Sequence, residues 1–300
     1  MFKHVLVPLD GSRLAEAALP VAAHLAEKLN SSVTLLHVIE RKAPEEIHGQ
    51  RHLTEPSDAR AYLNEVRDRA FPASLHVEQH VHTSEVGDVA QSIVEHIGEL
   101  KPDLITMCTH GRGGVRDLLF GNIAQQVVAL GTMPVVLVRP GDDRIPTHFS
   151  CRLLLVPLDG TPSHEVGLHV ATDLARACKA ELHLVVVVPT IGDLLGERAA
   201  AQRLLPGTTA AMLEISQQAC EQYLRRHVDQ LKGLGLAATG EVARGDPAPV
   251  IATTAQRVHA SLIVLGTHGK IGMDALWSGS VAPRIVSHTC IPLLLVPLPA

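Results

Sequence analysis

The feature that most constrains this chain is an internal repeat. Val7-Pro8-Leu9-Asp10-Gly11 returns as Val156-Pro157-Leu158-Asp159-Gly160, and Thr109-His110-Gly111 returns as Thr267-His268-Gly269. The first pair is offset by 149 residues and the second by 158. With those offsets Gly87-Asp88 meets Gly245-Asp246, Gly121 meets Gly279, and Pro134 meets Pro292. Nine extra residues in the second half, placed between the second strand and Gly245, reconcile the two. The period is too long for a solenoid unit and suits a duplicated domain. Pro140 to Pro146, with two prolines and three charges, reads as the connection. We divide the chain into residues 1–140, a linker at 141–150, and 151–300.

Each half has one order of elements. Val5–Leu9 is a short apolar strand, followed by a helix from residue 12 or 13 to Leu29 in which Pro20 is an interruption. A strand at Val33–Ile39 and a helix over 58–70 come next. Leu75–His82 alternates apolar and polar residues like a half-exposed edge strand. A helix at Asp88–Leu100, a buried strand at Leu104–Cys108, a helix from Gly121 to Leu130 and a last strand at Val135–Val138 complete the half. Strands alternating with helices predict an α/β fold: in each half a doubly wound, parallel five-stranded sheet covered on both faces. The last strands, Val135–Val138 and Leu293–Val296, are short and wholly apolar. As open edges they would invite aggregation.

In the second half, Asp159 follows the strand Leu153–Leu158. The strand Leu262–Leu265 runs into Gly266-Thr267-His268-Gly269, and nine residues later Gly279-Ser280 opens a helix. Glycines there permit tight turns and close backbone approach. Free N–H groups and a hydroxyl at a helix N-terminus suit an anion, and a carboxylate at a neighbouring strand end suits a ribose hydroxyl or base amine. The same Asp also fits a helix-capping turn. Parallel sheets bind ligands at their carboxyl ends, so these features together describe a nucleotide pocket.

Composition narrows the alternatives. A net charge of −5 argues against a general grip on nucleic acid phosphate, and four Phe, two Tyr and one Trp are too few for a base-stacking platform. Five scattered cysteines without Cys-x-x-Cys suggest neither a disulfide scaffold nor a zinc ribbon. The longest apolar runs, about six residues, are far short of the ~18–20 of a membrane span. We expect a cytoplasmic protein with no nucleic acid or membrane partner. There is no P-loop and no Gly-x-Ser-x-Gly elbow, and no catalytic residue is recognisable.

On these motifs the chain resembles a tandem universal stress protein, two such domains fused head to tail. Residues 266–280 match the family pattern Gly-x-x-Gly, nine residues, Gly-Ser/Thr. The resemblance covers both halves and implies a Rossmann-like fold of the adenine nucleotide alpha hydrolase type. It implies ATP, or AMP or ADP, as cofactor, with Mg2+ held by the phosphates. Asp159 would contact adenosine beside Pro157 and Leu158, and the Val187 backbone would meet adenine. Leu265, Gly266, Thr267 and Gly269 would pass beneath the ribose and first phosphate. Gly279, Ser280 and Val281 would hold the outer phosphates, with Lys270 screening their charge or simply solvated.

The first half departs from this pattern. Asp10, Val38, Gly111 and Gly121 are retained, but Cys108 replaces the first glycine and Asn122 the hydroxyl residue. Nucleotide binding there is expected to be weak or absent, at a cost that includes a left-handed backbone at position 108 if the loop needs one. The implied function is regulatory or protective in a stress response, with an unidentified protein partner. The resemblance also implies dimerisation through the last strands, so Val135–Val138 and Leu293–Val296 are expected to pair and join the halves as an intramolecular pseudo-twofold dimer, with a homodimer as a further level. A slow nucleotide hydrolase or phosphotransferase and a nucleotide-free scaffold are the alternatives. His110 and His268 lie in the candidate loops. His76, His80 and His82 share one strand face by parity, a spacing compatible with a metal site, although a wet polar face is the plainer reading and no resident metal is assigned.

Overall fold

The computed structural model describes residues 1–41, 46–47, 50–109, 122–130, 132–140, 147–190, 206–267 and 281–298. The first half runs β1 (His4–Pro8), a 3-10 turn (Ala15–Ala18), α1 (Leu19–Leu29), β2 (Ser32–Glu40), a small hairpin of β3 (Glu46–Ile47) and β4 (Gln50–Arg51), and α2 (Pro56–Ala70). It continues with β5 (Val77–Val86), α3 (Val89–Leu100), β6 (Leu104–Cys108), α4 (Asn122–Leu130) and β7 (Val135–Val138). The second half runs β8 (Leu153–Leu158), a 3-10 turn (Pro162–Glu165), α5 (Val166–Cys178), β9 (Glu181–Val188), α6 (Pro206–Gly233) and β10 (Ala238–Arg244). It ends with α7 (Pro247–Arg257), β11 (Leu262–Thr267), α8 (Val281–His288) and β12 (Leu293–Pro297).

Within each half the strands are parallel, in the order β5-β2-β1-β6-β7 and β10-β9-β8-β11-β12. The expected five-stranded, doubly wound sheets are therefore present. They merge into one ten-stranded sheet because β7 and β12 pair antiparallel, with Leu137 opposite Leu293 and Val135 opposite Leu295. The core continues across that seam on both faces. Val136, Val138, Leu294 and Val296 join the cluster built on Val5, Val7 and α1. Val135, Leu137, Leu293 and Leu295 join the one built on Leu6, Leu36 and Ile105. The alternation follows from the two-residue period of a strand.

The backbone repeats more faithfully than the sequence. The non-glycine residues with positive φ form two matched pairs, Asn30 with Lys179 and Lys101 with His259. The first pair follows the last turn of α1 and α5 as a left-handed cap. Gly11 and Gly160 are likewise matched, at φ +90° and +80°. Pro20 does not interrupt a long helix as expected. A 3-10 turn comes first and α1 begins at Leu19, so Pro20 occupies the first turn, where its missing N–H costs nothing. Asp88 caps α3 by accepting from the Gln91 N–H at 3.0 Å. The edge strand begins at Val77 and extends to Val86, leaving His76 outside it.

Side chains also fasten the seam. The Arg139 guanidinium, just past β7, donates to the carbonyls of Val286 (2.9 Å) and Ser287 (2.8 Å) at the end of α8. A cation there also meets the negative end of the helix dipole. At the other crossing point the Cys151 N–H donates to His24 Nε2 at 3.1 Å, and the His24 ring stands edge-on to Phe149. Replacing Arg139 by Ala is expected to lower stability by about 1–3 kcal/mol, read as an earlier midpoint in urea unfolding. An unchanged midpoint would show that the strand ladder alone holds the halves.

Candidate functional site

The order β10-β9-β8-β11-β12 reverses direction between β8 and β11, which is where an open α/β sheet leaves a crevice at its carboxyl ends. The two strands pair only through Leu262 with Leu154 and Ile263 with Leu155, then separate. β9 outruns β8 by two residues: the last β8 pair is Leu158 with Val186, and Val187 has its ladder partner on the β10 side, Ala243. Pro157 and Leu158 are buried, so they present backbone rather than side chain. The crevice is thus bounded by Asp159, the inner backbone edge of Val187, and the end of β11 at Leu265, Gly266 and Thr267.

The Asp159 turn is built by its own carboxylate: Oδ1 accepts from the Thr161 N–H at 2.9 Å, and Gly160 supplies the positive φ. Asp10 does the same with the Ser12 N–H at 2.8 Å. Both aspartates are therefore turn formers before they are anything else. Val281 begins α8 and packs half-buried on the core. Gly269, Lys270, Gly279 and Ser280, with His268, lie outside the described residues. So do His110, Gly111 and Gly121. Asn122 is the first residue of α4.

Helix packing gives Gly167 a reason to be glycine. Gly167, second residue of α5, lies so close to β11 that a Cβ on it would come within 2.8 Å of the Gly266 nitrogen and 3.3 Å of the Leu265 carbonyl carbon. The equivalent pair in the first half is Ala18 and Cys108, both larger. Gly266 is a strand residue opposite Val296 and Cys108 a strand residue opposite Val138. Neither requires the left-handed backbone, so the penalty expected for Cys108 does not arise. What changes between the halves is that the second-half pair carries no Cβ on either residue.

A second asymmetry was not anticipated from the sequence. In the first half, residues 50–53 lie over the crevice. A Cβ on Gly11 would meet Leu53 Cδ1 at 2.8 Å and Cγ at 2.9 Å. The buried His37 ring reaches the Leu9 carbonyl with Nδ1 (2.8 Å) and the Leu53 carbonyl with Nε2 (3.0 Å). Gln50 Oε1 accepts from the Arg13 N–H at 2.6 Å. This cover crosses the strand end that carries Val38. In the second half Val186 replaces His37, and nothing among the described residues lies within 4 Å of a Cβ on Gly160.

A family model described as the universal stress protein family matches residues 1–139 and again 152–297. The chain belongs to the universal stress protein family. A universal stress protein of Mycolicibacterium smegmatis is 25% identical over 306 residues, which is 97% of this chain and 96% of that one. The universal stress protein E homolog of Haemophilus influenzae is 24% identical over 320 residues, 98% and 96% of the two chains. A crystal structure of a universal stress protein from Archaeoglobus fulgidus superposes with a TM-score of 0.67 at 16% identity, over 98% of this chain and 96% of that one. That likeness establishes the tandem fold.

This universal stress protein also repeats a pair that sequence reading missed. Both of its tyrosines stand beside the matched glutamates Glu16 and Glu165. The Tyr223 hydroxyl, from α6, donates to Glu165 Oε1 at 2.8 Å, and His227 Nε2 lies 3.3 Å from the same oxygen. Tyr62, from α2, is buried near Glu16, whose carboxylate pairs with Arg69 at 2.9 Å. Burial, then Glu16 and Asp10, pushes the Tyr62 phenol well up from its ordinary value of 10.0. Burial, then the Glu165 hydrogen bond and charge, with Asp159 beyond, does the same to Tyr223. The signal in the sequence was the presence of only two tyrosines, one per half. Neither 149 nor 158 superposes them, because the helix after the second strand differs in length.

Two outcomes follow. Gly167→Ala is expected to cost about 1–3 kcal/mol through overpacking against backbone, measured by denaturant unfolding; a neutral variant would mean that α5 can move off β11. The folded protein holds the phenolic protons more tightly than the unfolded chain. The stabilisation is therefore complete below pH ~10 and is lost as pH rises beyond it. Absorbance titration should show no tyrosinate before alkaline unfolding, whereas tyrosinate forming near pH 10 in folded protein would contradict the hold that burial and the two glutamates exert on the phenols.

Proposed function

We propose that this universal stress protein binds ATP at the crevice of its second half and acts as a nucleotide-occupied regulator in a stress response. The observation that carries the reading is the union of the 266–280 motif with a strand-end turn at Asp159-Gly160 over which no described residue lies within 4 Å of a Cβ on Gly160. Asp159 and the Val187 backbone would take the adenosine. Leu265, Gly266, Thr267 and Gly269 would run beneath the ribose and first phosphate. Gly279, Ser280 and Val281 would hold the outer phosphates and their Mg2+, with Lys270 screening charge. AMP or ADP would use the same adenosine contacts.

The domain division follows the same logic: residues 151–300 are the binding unit, joined by 141–150 to a unit, 1–140, that keeps the frame without the function. In that unit Asp10, Val38, Gly111, Gly121 and Asn122 retain positions in the pattern, while Leu53 and His37 close over the Gly11 turn. Cys108 and Asn122 are then one obstacle and the cover a second. Ligand occupancy stabilises whichever conformation binds it, which supplies a regulatory output without turnover. No helix among the described residues is long and apolar enough to cross a membrane, in keeping with a cytoplasmic role.

Calorimetric titration of the full chain with Mg-ATP tests the proposal. One site per chain is expected. Gly279→Val should abolish it by blocking backbone approach, and Asp159→Ala should weaken it by ~10-fold or more, as loss of one hydrogen bond to a charged group does. Cys108→Gly with Asn122→Ser should add a second site only when Leu53→Ala also opens the cover. Undiminished binding in Gly279→Val, or two equal sites in the unmodified chain, would overturn the assignment. Turnover above about 1 per second would move the protein into the ordinary enzyme range.

A further inference from the structure

The edge strand of the first half carries a histidine cluster that the nucleotide site does not use. His80 and His82 lie two residues apart on β5, opposite Leu36 and Val38 of β2, so both project from one face. Val77 and Val81 project from the other face, into the core that contains Leu63 and Val66 of α2. α3 crosses the histidine face and delivers a third ring, His96, which is only 4% exposed. The centroid of the His96 ring is 4.8 Å from those of both His80 and His82, at interplanar angles of 67° and 87°. One ring nitrogen from each residue lies within 4.8 Å of the other two. His76, which parity grouped with them, stands outside the strand and pairs with Glu78 at 2.9 Å.

We infer that His80, His82 and His96 form a binding site for a divalent transition-metal ion of the zinc class, with the Glu99 carboxylate as fourth ligand. A tetrahedral ion ~2.0–2.1 Å from each nitrogen places its ligands ~3.4 Å apart. Small side-chain rotations from the present spacing reach that arrangement. Glu99 Oε2 is 3.9 Å from His96 Nε2 and its side chain is free to swing.

Two further observations support the site. His96 Nδ1 lies 2.7 Å from the Ser92 carbonyl. A carbonyl only accepts, so Nδ1 carries the proton and Nε2 keeps its lone pair toward the cluster, which is the outer-shell arrangement of metal-bound histidines. The donor set, imidazoles and a carboxylate without thiolate, suits zinc, cobalt, nickel or copper rather than magnesium or calcium.

The second half provides an internal comparison. By ladder register the counterparts of His80 and His82 are Glu241 and Ala243, opposite Val185 and Val187. Counted from the matched Gly-Asp turns, His96 corresponds to buried Thr254. Glu241 there faces Arg257 and His183 as an ion-pair cluster. The histidine trio is thus not part of the repeated frame, and it owes nothing to the nucleotide reading. A bound ion would tie the outermost strand to α3, adding to its ladder with β2 and its packing on α2.

The test uses the full chain, stripped with a chelator, reduced, and titrated with Co2+ alone, then displaced with Zn2+. One equivalent of cobalt should develop the visible bands of a tetrahedral site without thiolate charge transfer, and zinc should displace it and raise the melting temperature. His82→Ala and His80→Ala should each remove the bands, Glu99→Gln should weaken binding by ~10-fold or more, and His76→Ala should change nothing. His96 is buried and its removal leaves a void under α3, so the half-buried His82 is the deciding variant. Absence of the bands at stoichiometric cobalt, their persistence in His82→Ala, or a thiolate signature from the five free cysteines would overturn the inference. Unchanged affinity in Glu99→Gln would remove Glu99 from it.

Discussion

The antiparallel ladder between Val135–Leu137 and Leu293–Leu295 is the constraint on which the rest of the architecture depends. Each half ends in a strand too apolar to face water, and each supplies the cover the other lacks. The pairing extends both cores through the seam and makes one sheet of two. Because it is antiparallel, the strands of one half point opposite to those of the other. The two crevices therefore open at opposite ends of the sheet. Neither can share residues with the other, so a change that closes one leaves the other's geometry intact.

That independence has been used. Around the second crevice, Gly167 and Gly266 let α5 approach the end of β11 with backbone against backbone. Around the first, the larger Ala18 and Cys108 take their places, and Leu53, Gln50 and His37 fasten a cover onto the Gly11 turn. The aspartates are the same in both places and perform the same local task, closing a turn through Oδ1. Retention of Asp10 therefore says nothing about ligand binding in the first half; the covering segment says more. The first half has in turn acquired the histidine trio on its outer strand, where the second half keeps an ion-pair cluster. Duplication preserved the sheet and its caps and left the ends and edges free to diverge.

Much of this was legible in the residues. The strands at Leu104–Cys108, Val135–Val138 and Leu153–Leu158 fall where apolar runs between turn residues place them. The pairing of the last strands was expected from the family resemblance, with their apolar composition in support. Other features were hidden for identifiable reasons. The start of α1 was misplaced because a proline in a helical pattern reads as a break, whereas in the first turn it is favourable. The matched tyrosines escaped because the inserted residues shift them out of both offsets. The histidine cluster was read as strand parity alone, which joined His76 to His80 and His82 and could not bring in His96, fourteen residues farther along than His82.

By itself, then, the sequence determined the duplication, the order of strands and helices, the seam, and the segment that carries the nucleotide motif. Each of these is set by a local pattern: a repeated turn, an apolar run, a glycine spacing. Only the tertiary structure decided that residues 50–53 cover the first crevice, that Gly167 lies against the Gly266 backbone, and which histidines meet. Those outcomes depend on how closely a helix can approach a strand and on where a loop folds back, distances fixed by packing between residues far apart in the chain.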